Sequence, residues 1–188
     1  SASADSGANG GAIYNSGGTI GDITGDFISN SASADSGANG GAISNMGTIG
    51  DITGDFLNNY VQTNGGTAKG GAIYNIFNHV LNLSDCIISD NEVGNSGGGI
   101  SNQNSFMTIT DCVFSGNSAN HGGGIDNNAP DCIVTLDGCT FIGNEAKITT
   151  YDDADQGHGG GVFLWDGEVR IVDSTFTGNT ALNEEGGK

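Results

Sequence analysis

The chain has 188 residues, of which 35 are glycine and one is proline, and its 22 acidic and 4 basic residues give a net charge of −18. This charge excludes a nucleic-acid-binding role, because phosphate contacts need a basic surface. No apolar run approaches the ~18 residues of a membrane-spanning helix, and the segment has no signal peptide or lipidation motif. We therefore expect no nucleic-acid partner and no membrane insertion by this segment.

Two short motifs alternate along the whole chain. The first is a glycine pair followed by a small and an aliphatic residue: GGAI at 10–13, 40–43 and 70–73, GGGI at 97–100 and 122–125, and GGGV at 159–162. The second is an aromatic residue, or once Ile88, followed three positions later by asparagine. Successive motif asparagines are 26 to 35 residues apart, and this period indicates a repeat architecture.

Each repeat favours short strands over helices. In the first repeat, GGAIYN predicts a strand with Ile13 and Asn15 facing inward and Tyr14 facing outward. Later repeats such as VTLDGCTFIGN, residues 134–144, alternate apolar and polar residues on either side of an Asp-Gly turn. No stretch has a sustained apolar stripe of helical period. We expect three short strands and three turns per repeat, with the SASADS segments as polar loops.

These features predict an all-β fold, namely a right-handed, single-stranded parallel β-helix of the pectin-lyase-like kind. This β-solenoid would have about six rungs, and residues 1–188 would form a single domain. We interpret that domain as a fragment of, or a unit in, a longer repeat array. Residues 145–158 are predicted to be a surface loop inserted between repeats.

Parallel rungs stack equivalent residues in ladders along the axis, and such ladders stabilise in-register strands. The predicted aromatic ladder consists of Phe27, Phe56, Phe114, Phe141 and Phe176, with Ile88 in the third position. The predicted asparagine ladder consists of Asn30, Asn59, Asn91, Asn117, Asn144 and Asn179. A second amide ladder consists of Asn15, Asn45, Asn75, Asn102 and Asn127, and it ends at Leu164. We also expect Ala2 to stack on Ala32, and Asp5 on Asp35.

Three cysteines, Cys86, Cys112 and Cys139, lie two residues before the aromatic position in consecutive repeats. We expect them to stack as small buried thiols. A disulfide between rungs, or between Cys132 and Cys139, is the alternative, although the in-register orientation often does not suit it.

Polar and aromatic outliers cluster in the last repeats. His121 and His158 precede the glycine pair in consecutive repeats, and the segment that follows Glu145 contains three acidic residues. The weak candidates for a metal site are therefore Asp152, Asp153, Asp155, His121 and His158. The favoured prediction is no cofactor, with Ca²⁺ left open as an alternative. Phe163 and Trp165 are predicted to point outward, either as a carbohydrate or protein contact or covered by the long loop.

The alternation of GGA[ILV] with FxxN resembles the repeats of the chlamydial polymorphic outer-membrane proteins and, more widely, the passenger domains of bacterial autotransporter adhesins. The resemblance covers nearly the whole chain. It implies export, an extracellular or cell-surface location, and adhesion or scaffolding. The implied partners are flanking repeats and a host or cell-surface protein or glycan.

Two alternatives remain open. DD at 152–153, GHG at 157–159 and RI at 170–171 resemble pieces of the polygalacturonase signature, but all three fall within one repeat and its loop. An enzyme would need carboxylates from successive rungs to converge on one sugar, so we predict no catalysis. The other alternative is a subunit of an extracellular filament that stacks head to tail through its exposed strand edges.

Overall fold

The computed structural model describes residues 1–4, 7–130, 132–148 and 157–183. These residues form an all-β solenoid of about five turns, close to the six rungs predicted. Every sheet is parallel, and each strand pairs with its equivalents in the adjacent rungs. The prediction of a parallel β-solenoid is therefore confirmed. No helix with the length and apolar character needed to cross a membrane occurs in the described ranges.

Four long sheets and two short ones run along the axis. Sheet A comprises Ala2–Ala4, Ser31–Ala34, Tyr60–Thr63, Glu92–Val93, Ser118–Ala119, Glu145–Ile148 and Thr180–Asn183. Sheet B comprises Ala8–Asn9, Gly37–Asn39 and Thr67–Lys69. Sheet C comprises Ile13–Asn15, Ile43–Asn45, Ile73–Ile76, Ile100–Gln103, Ile125–Asn127 and Val162–Leu164. Sheet D comprises Thr19–Ile20 and Thr48–Ile49. Sheet E comprises Ile23–Thr24, Asp51–Thr53, Val80–Ser84, Phe106–Thr110, Ile133–Asp137 and Glu168–Val172. Sheet F comprises Phe27–Ile28, Phe56–Leu57, Ile87–Ser89, Val113–Ser115, Thr140–Ile142 and Thr175–Thr177.

The expectation of three strands per rung was wrong, because it missed sheets A and B and, in the first two repeats, sheet D. The segment Ser31–Ala34, predicted as part of a polar loop, is a strand paired on both sides. Glu145–Ile148, the start of the predicted inserted loop, is likewise a strand of sheet A; residues 149–156 lie outside the described part of the chain. Ser, Ala, Gly and Asn have low strand propensity, but stacked rungs supply hydrogen-bond partners that override it.

Two cores run side by side along the axis. The larger core is filled by inward residues of sheets C, E and F, including Ile73, Leu83 and Phe114, all at most 2% exposed. The smaller core lies behind sheets A and B, and its described members are alanine and valine side chains, among them Ala32. Ala2 packs against this smaller core and pairs with Ala32, as expected. This thin second core explains how a chain with 35% hydrophobic residues forms a closed fold.

The asparagine ladder follows the turn after sheet F through every described rung. Each side-chain amide donates to the carboxamide oxygen of the next rung, at 2.8 to 3.0 Å from Asn30 to Asn179. The same oxygen also accepts a backbone N–H of the preceding rung, as for Asn117 and Asn144 at 3.1 Å. A buried amide is unfavourable unless it is bonded. The repetition of asparagine satisfies it on both sides.

The aromatic ladder lies beside the asparagines. Phe27 stacks on Phe56 with ring centroids 4.7 Å apart, and Phe141 lies 4.6 Å from both Phe114 and Phe176. Ile88 pairs in register between the two stacks and is fully buried.

The second amide ladder ends where the sequence predicted it would. Side-chain amides are bonded from Asn15 to Asn127 at 2.8 to 3.0 Å. Leu164 occupies the next position, and its side chain has no atom that can accept a hydrogen bond. The Nδ2 atom of Asn127 is therefore buried without a hydrogen-bond partner.

All four cysteines are buried, and the structure shows no disulfide among the described residues. The backbone N–H of Cys86 donates to the sulfur of Cys112 at 3.3 Å, and the N–H of Cys139 donates to the hydroxyl of Ser174 at 3.0 Å. Burial raises the pKa of Cys139, and the hydrogen bond with Cys86 together with burial raises the pKa of Cys112. Burial makes all four thiols inaccessible, and inaccessible thiols are poor nucleophiles.

The glycine pairs form the corner between sheets B and C. The first glycine of each pair has a positive φ, such as +66° at Gly70. The second glycine permits close approach of backbones, because a Cβ on Gly71 would collide with the carbonyl oxygen of Gly98. This corner turns the outer faces of two sheets toward each other.

Candidate binding site on the corner face

Two columns of side chains meet on the outside of this corner, and we call the surface they form the corner face. The first column consists of the residues that precede each glycine pair: Asn9, Asn39, Lys69, Ser96, His121 and His158. The second column consists of the second residue of each sheet C strand: Tyr14, Ser44, Tyr74, Ser101, Asp126 and Phe163.

The middle of the corner face is buried, although strand alternation directs its side chains outward. Ser44, Ser101 and Asp126 are fully buried, and Tyr74 is 6% exposed. Tyr74 donates its hydroxyl to Gln103 Oε1 at 3.0 Å. The turn at the glycine pair therefore creates a polar interior outside the main core.

Asp126 is the most unusual residue of this region. Its Oδ2 atom accepts the Ser101 hydroxyl at 3.3 Å, while its Oδ1 atom is buried without a hydrogen bond. Desolvation raises the pKa of this carboxyl to about 7, against smaller opposing effects of Ser101 and the Lys69 ammonium. Burial lowers the pKa of Lys69, and burial together with the Asp126 charge raises that of Tyr74 to about 12. A carboxyl that titrates near neutral pH is a feature found at functional sites and in buried polar networks alike.

An aromatic pocket lies at the end of the corner face next to Asp126. We define it by its lining residues: His121, Asn128, His158, Phe163 and Trp165. The pocket has a volume of about 170 Å³. Trp165 is 72% exposed and makes an edge-to-face contact with Phe163, with centroids 6.3 Å apart and planes at 65°.

The structure brings the two predicted histidines together. Their Nδ1 atoms are 3.3 Å apart, a hydrogen bond in which one ring donates and the other accepts. Phe163 stacks on both imidazoles, with centroids 5.4 Å from His121 and 5.3 Å from His158. Three rings in mutual contact make a rigid wall of the pocket.

Of the predicted metal ligands, His121 and His158 lie in the described part of the chain and contact each other. Asp152, Asp153 and Asp155 lie outside the described residues. Within the described ranges, no group of three or more His, Cys, Asp or Glu side chains is placed to hold a metal ion. The Ca²⁺ alternative therefore stays a prediction.

The described pieces of the polygalacturonase-like pattern lie on different faces. His158 lies in the first column of the corner face. Arg170 lies on sheet E between two apolar residues, Val169 and Ile171, and pairs with the outward Thr135. These two side chains therefore do not share a site.

Sequence reasoning missed Asp126 and Asn128. Both residues follow a glycine pair. The alternation of inward and outward residues in a strand predicts an exposed position for them, on the outer face or in a loop. One signal was available, since the carboxylate of Asp126 stands where the other repeats have Tyr, Ser or Phe.

The solenoid fold and the stacked ladders define this chain as a repeat protein. Its interior side chains mainly contact the equivalent side chains of the adjacent rungs. Within it, residues 111–128 match the family model of the Chlamydia polymorphic membrane protein repeat. This match confirms the resemblance that the GGA[ILV] and FxxN motifs predicted. No curated protein and no solved structure gave a match to the chain. The fold and the repeat match fit a surface adhesin-like repeat protein.

Proposed function

We propose that the chain is a structural and adhesive rod of an extracellular surface protein and that it has no catalytic centre. The observation that carries this proposal is the asparagine ladder, which continues without a break from Asn30 to Asn179. Such a ladder lets a rod lengthen by adding repeats while every buried amide stays bonded. The repeat match at residues 111–128 supports display on a cell surface.

Adhesion is tested with beads coated with the purified chain. We expect these beads to bind cultured epithelial cells more than beads coated with the same chain after unfolding. Equal binding by the two preparations would contradict the adhesive part of the proposal.

His158 and Arg170 lie on different faces of the solenoid. Their separation supports the absence of catalysis, because the two side chains cannot act on one substrate together. We expect no release of reducing ends from polygalacturonate or from neutral glycans. Turnover that disappears in Asp153→Asn would contradict the proposal.

Head-to-tail stacking with a second copy, or with flanking repeats, stays a prediction. Light scattering at high protein concentration, with and without Ca²⁺, tests it. A chain that remains monomeric in both conditions would contradict it and would leave the rod proposal standing.

A further inference from the structure

We propose that the aromatic pocket binds a single neutral sugar residue of a glycan, with Trp165 as the stacking platform and Asn128 and His158 as the hydrogen-bonding groups. This inference rests on the proposed adhesive function, because it names the chemistry that such adhesion would recognise. The pocket volume of about 170 Å³ suits one sugar ring.

Trp165 is highly exposed. An indole that is 72% exposed leaves a large apolar face in water, on a surface that is otherwise strongly acidic. The contact with Phe163 is edge-to-face rather than stacked, and the exposed 72% of the side chain stays available to a ligand. Flat apolar faces of this kind pack on the C–H face of a sugar ring, which has polar groups only around its rim.

The polar groups of the pocket match that rim. Asn128 is half-buried, and its backbone N–H donates to the carbonyl of Asn102 at 3.0 Å. Its position is therefore held while its side-chain amide offers both a donor and an acceptor. His158 uses Nδ1 in its bond with His121, which leaves Nε2 for a ligand hydroxyl.

Charge selects the kind of sugar. The pocket lining contains no Asp, Glu, Lys or Arg side chain among the described residues. These lining residues therefore offer no carboxylate, ammonium or guanidinium partner to a charged ligand. The net charge of −18 repels acidic sugars over the whole surface. A neutral sugar avoids that repulsion and uses the stacking and hydrogen-bonding groups that are present.

The walls of the pocket are already positioned for a ligand. His121 and His158 are joined by a parallel β-bridge, and Phe163 packs on both rings. The backbone N–H of Trp165 donates to the carbonyl of Asn127 at 3.1 Å. A preorganised site loses little conformational freedom on binding. A single-sugar pocket still binds weakly, so effective adhesion needs many copies displayed together.

The experiment uses a panel of immobilised glycans, probed with the fluorescently labelled chain. Half of the panel ends in neutral sugars (galactose, glucose, mannose, fucose or N-acetylglucosamine), and half ends in sialic or glucuronic acid. We expect binding to a subset of the neutral glycans and none to the acidic ones. Binding should fall at least about tenfold in Trp165→Ala and several-fold in Asn128→Ala. Tyr60→Ala is the matched control, because it removes a 45% exposed aromatic side chain from sheet A; it should bind as the wild type does.

A second measurement reports on the same site. Trp165 is the only tryptophan of the chain, so its fluorescence reports binding when a neutral oligosaccharide from the panel is titrated. A change of intensity or wavelength at saturating sugar is expected. Thermal unfolding followed by circular dichroism identifies any variant that has lost its fold.

Three results would overturn the inference: no binding to neutral glycans, glycan binding that persists in folded Trp165→Ala, or selection of peptides rather than sugars from a mixed panel. The adhesive function is judged separately by the bead assay. If Trp165→Ala beads adhere as wild-type beads do, the inference fails while the adhesive function stands. If the chain binds neutral glycans through Trp165 but its beads do not adhere, the adhesive function fails while the sugar site stands.

Discussion

The burial of Asp126 makes a quantitative prediction for Asp126→Asn. The substitution replaces one carboxylate oxygen by an NH2 group and keeps the shape of the side chain. It removes a group whose pKa is 3.8 in an exposed chain and about 7 in the fold. Between these pH values the folded protein holds a proton that the unfolded chain has released. The contribution of Asp126 to stability is therefore greatest below pH 4 and is lost as the pH rises through 7.

The size of the effect follows from the two pKa values. One pH unit corresponds to about 1.4 kcal/mol, so the shift from 3.8 to about 7 amounts to about 4 kcal/mol. Asparagine does not titrate, so any effect of its own unpaired Nδ2 atom is the same at every pH. We expect the free energy of unfolding of Asp126→Asn, relative to wild type, to increase by about 4 kcal/mol between pH 4 and pH 8.

Urea unfolding of both proteins, followed by circular dichroism at pH 4, 5, 6, 7 and 8, measures this difference. Asp173→Asn is the control, because it removes a carboxylate from an exposed position whose positive φ asparagine also tolerates. Its difference from wild type should stay within about 1 kcal/mol over the same range. A constant difference for Asp126→Asn across the range would refute the reasoning, since Asp126 would then ionise as an exposed carboxyl does.

The remaining predictions concern the interior. Gly71→Ala should lower the free energy of unfolding by about 3 kcal/mol or more, because its Cβ would collide with a backbone carbonyl. The control is Gly65→Ala, whose Cβ meets no described atom within 4 Å; its free energy of unfolding should stay within about 1 kcal/mol of wild type. Asn117→Ala should lower the free energy of unfolding by about 4 kcal/mol, because it leaves buried partners unbonded. Asn179 is half-exposed, so Asn179→Ala should lower it much less. Urea unfolding measures the two glycine variants and the two asparagine variants, and equal losses of stability within either pair would contradict the argument. The four thiols should resist a thiol reagent until the chain unfolds; rapid labelling of the native protein would contradict their burial.

The side-chain ladders were predictable from the amino-acid sequence alone. Parallel rungs place equivalent residues on top of one another, so a residue repeated in every unit must stack on itself. The repeat therefore predicts that Phe114 stacks on Phe141 and Asn117 on Asn144, and both contacts are present. The sequence also predicts that the second amide ladder ends at Leu164, because a leucine side chain cannot continue a series of amide hydrogen bonds.

Sheets A and B were not predictable in the same way. Their strands consist largely of Ser, Ala, Gly and Asn, as in Ser31–Ala34 and Gly37–Asn39. Local propensity assigns such segments to loops. They are extended because the rungs above and below present unpaired backbone groups at the right spacing, and this condition exists only in the stacked solenoid.

The sequence by itself determined the repeat, the period and the identity of the stacked interior residues, because these depend only on which letters recur. The tertiary structure alone decided which outward columns face each other. That choice depends on the angle of the glycine corner, where a backbone torsion such as +61° at Gly122 turns His121 toward the column that contains Asp126 and Phe163. The same turn buries Asp126 and places Phe163 and Trp165 in one pocket with the two histidines. Both features depend on distances between different sheets, which a one-dimensional pattern of inward and outward residues does not contain.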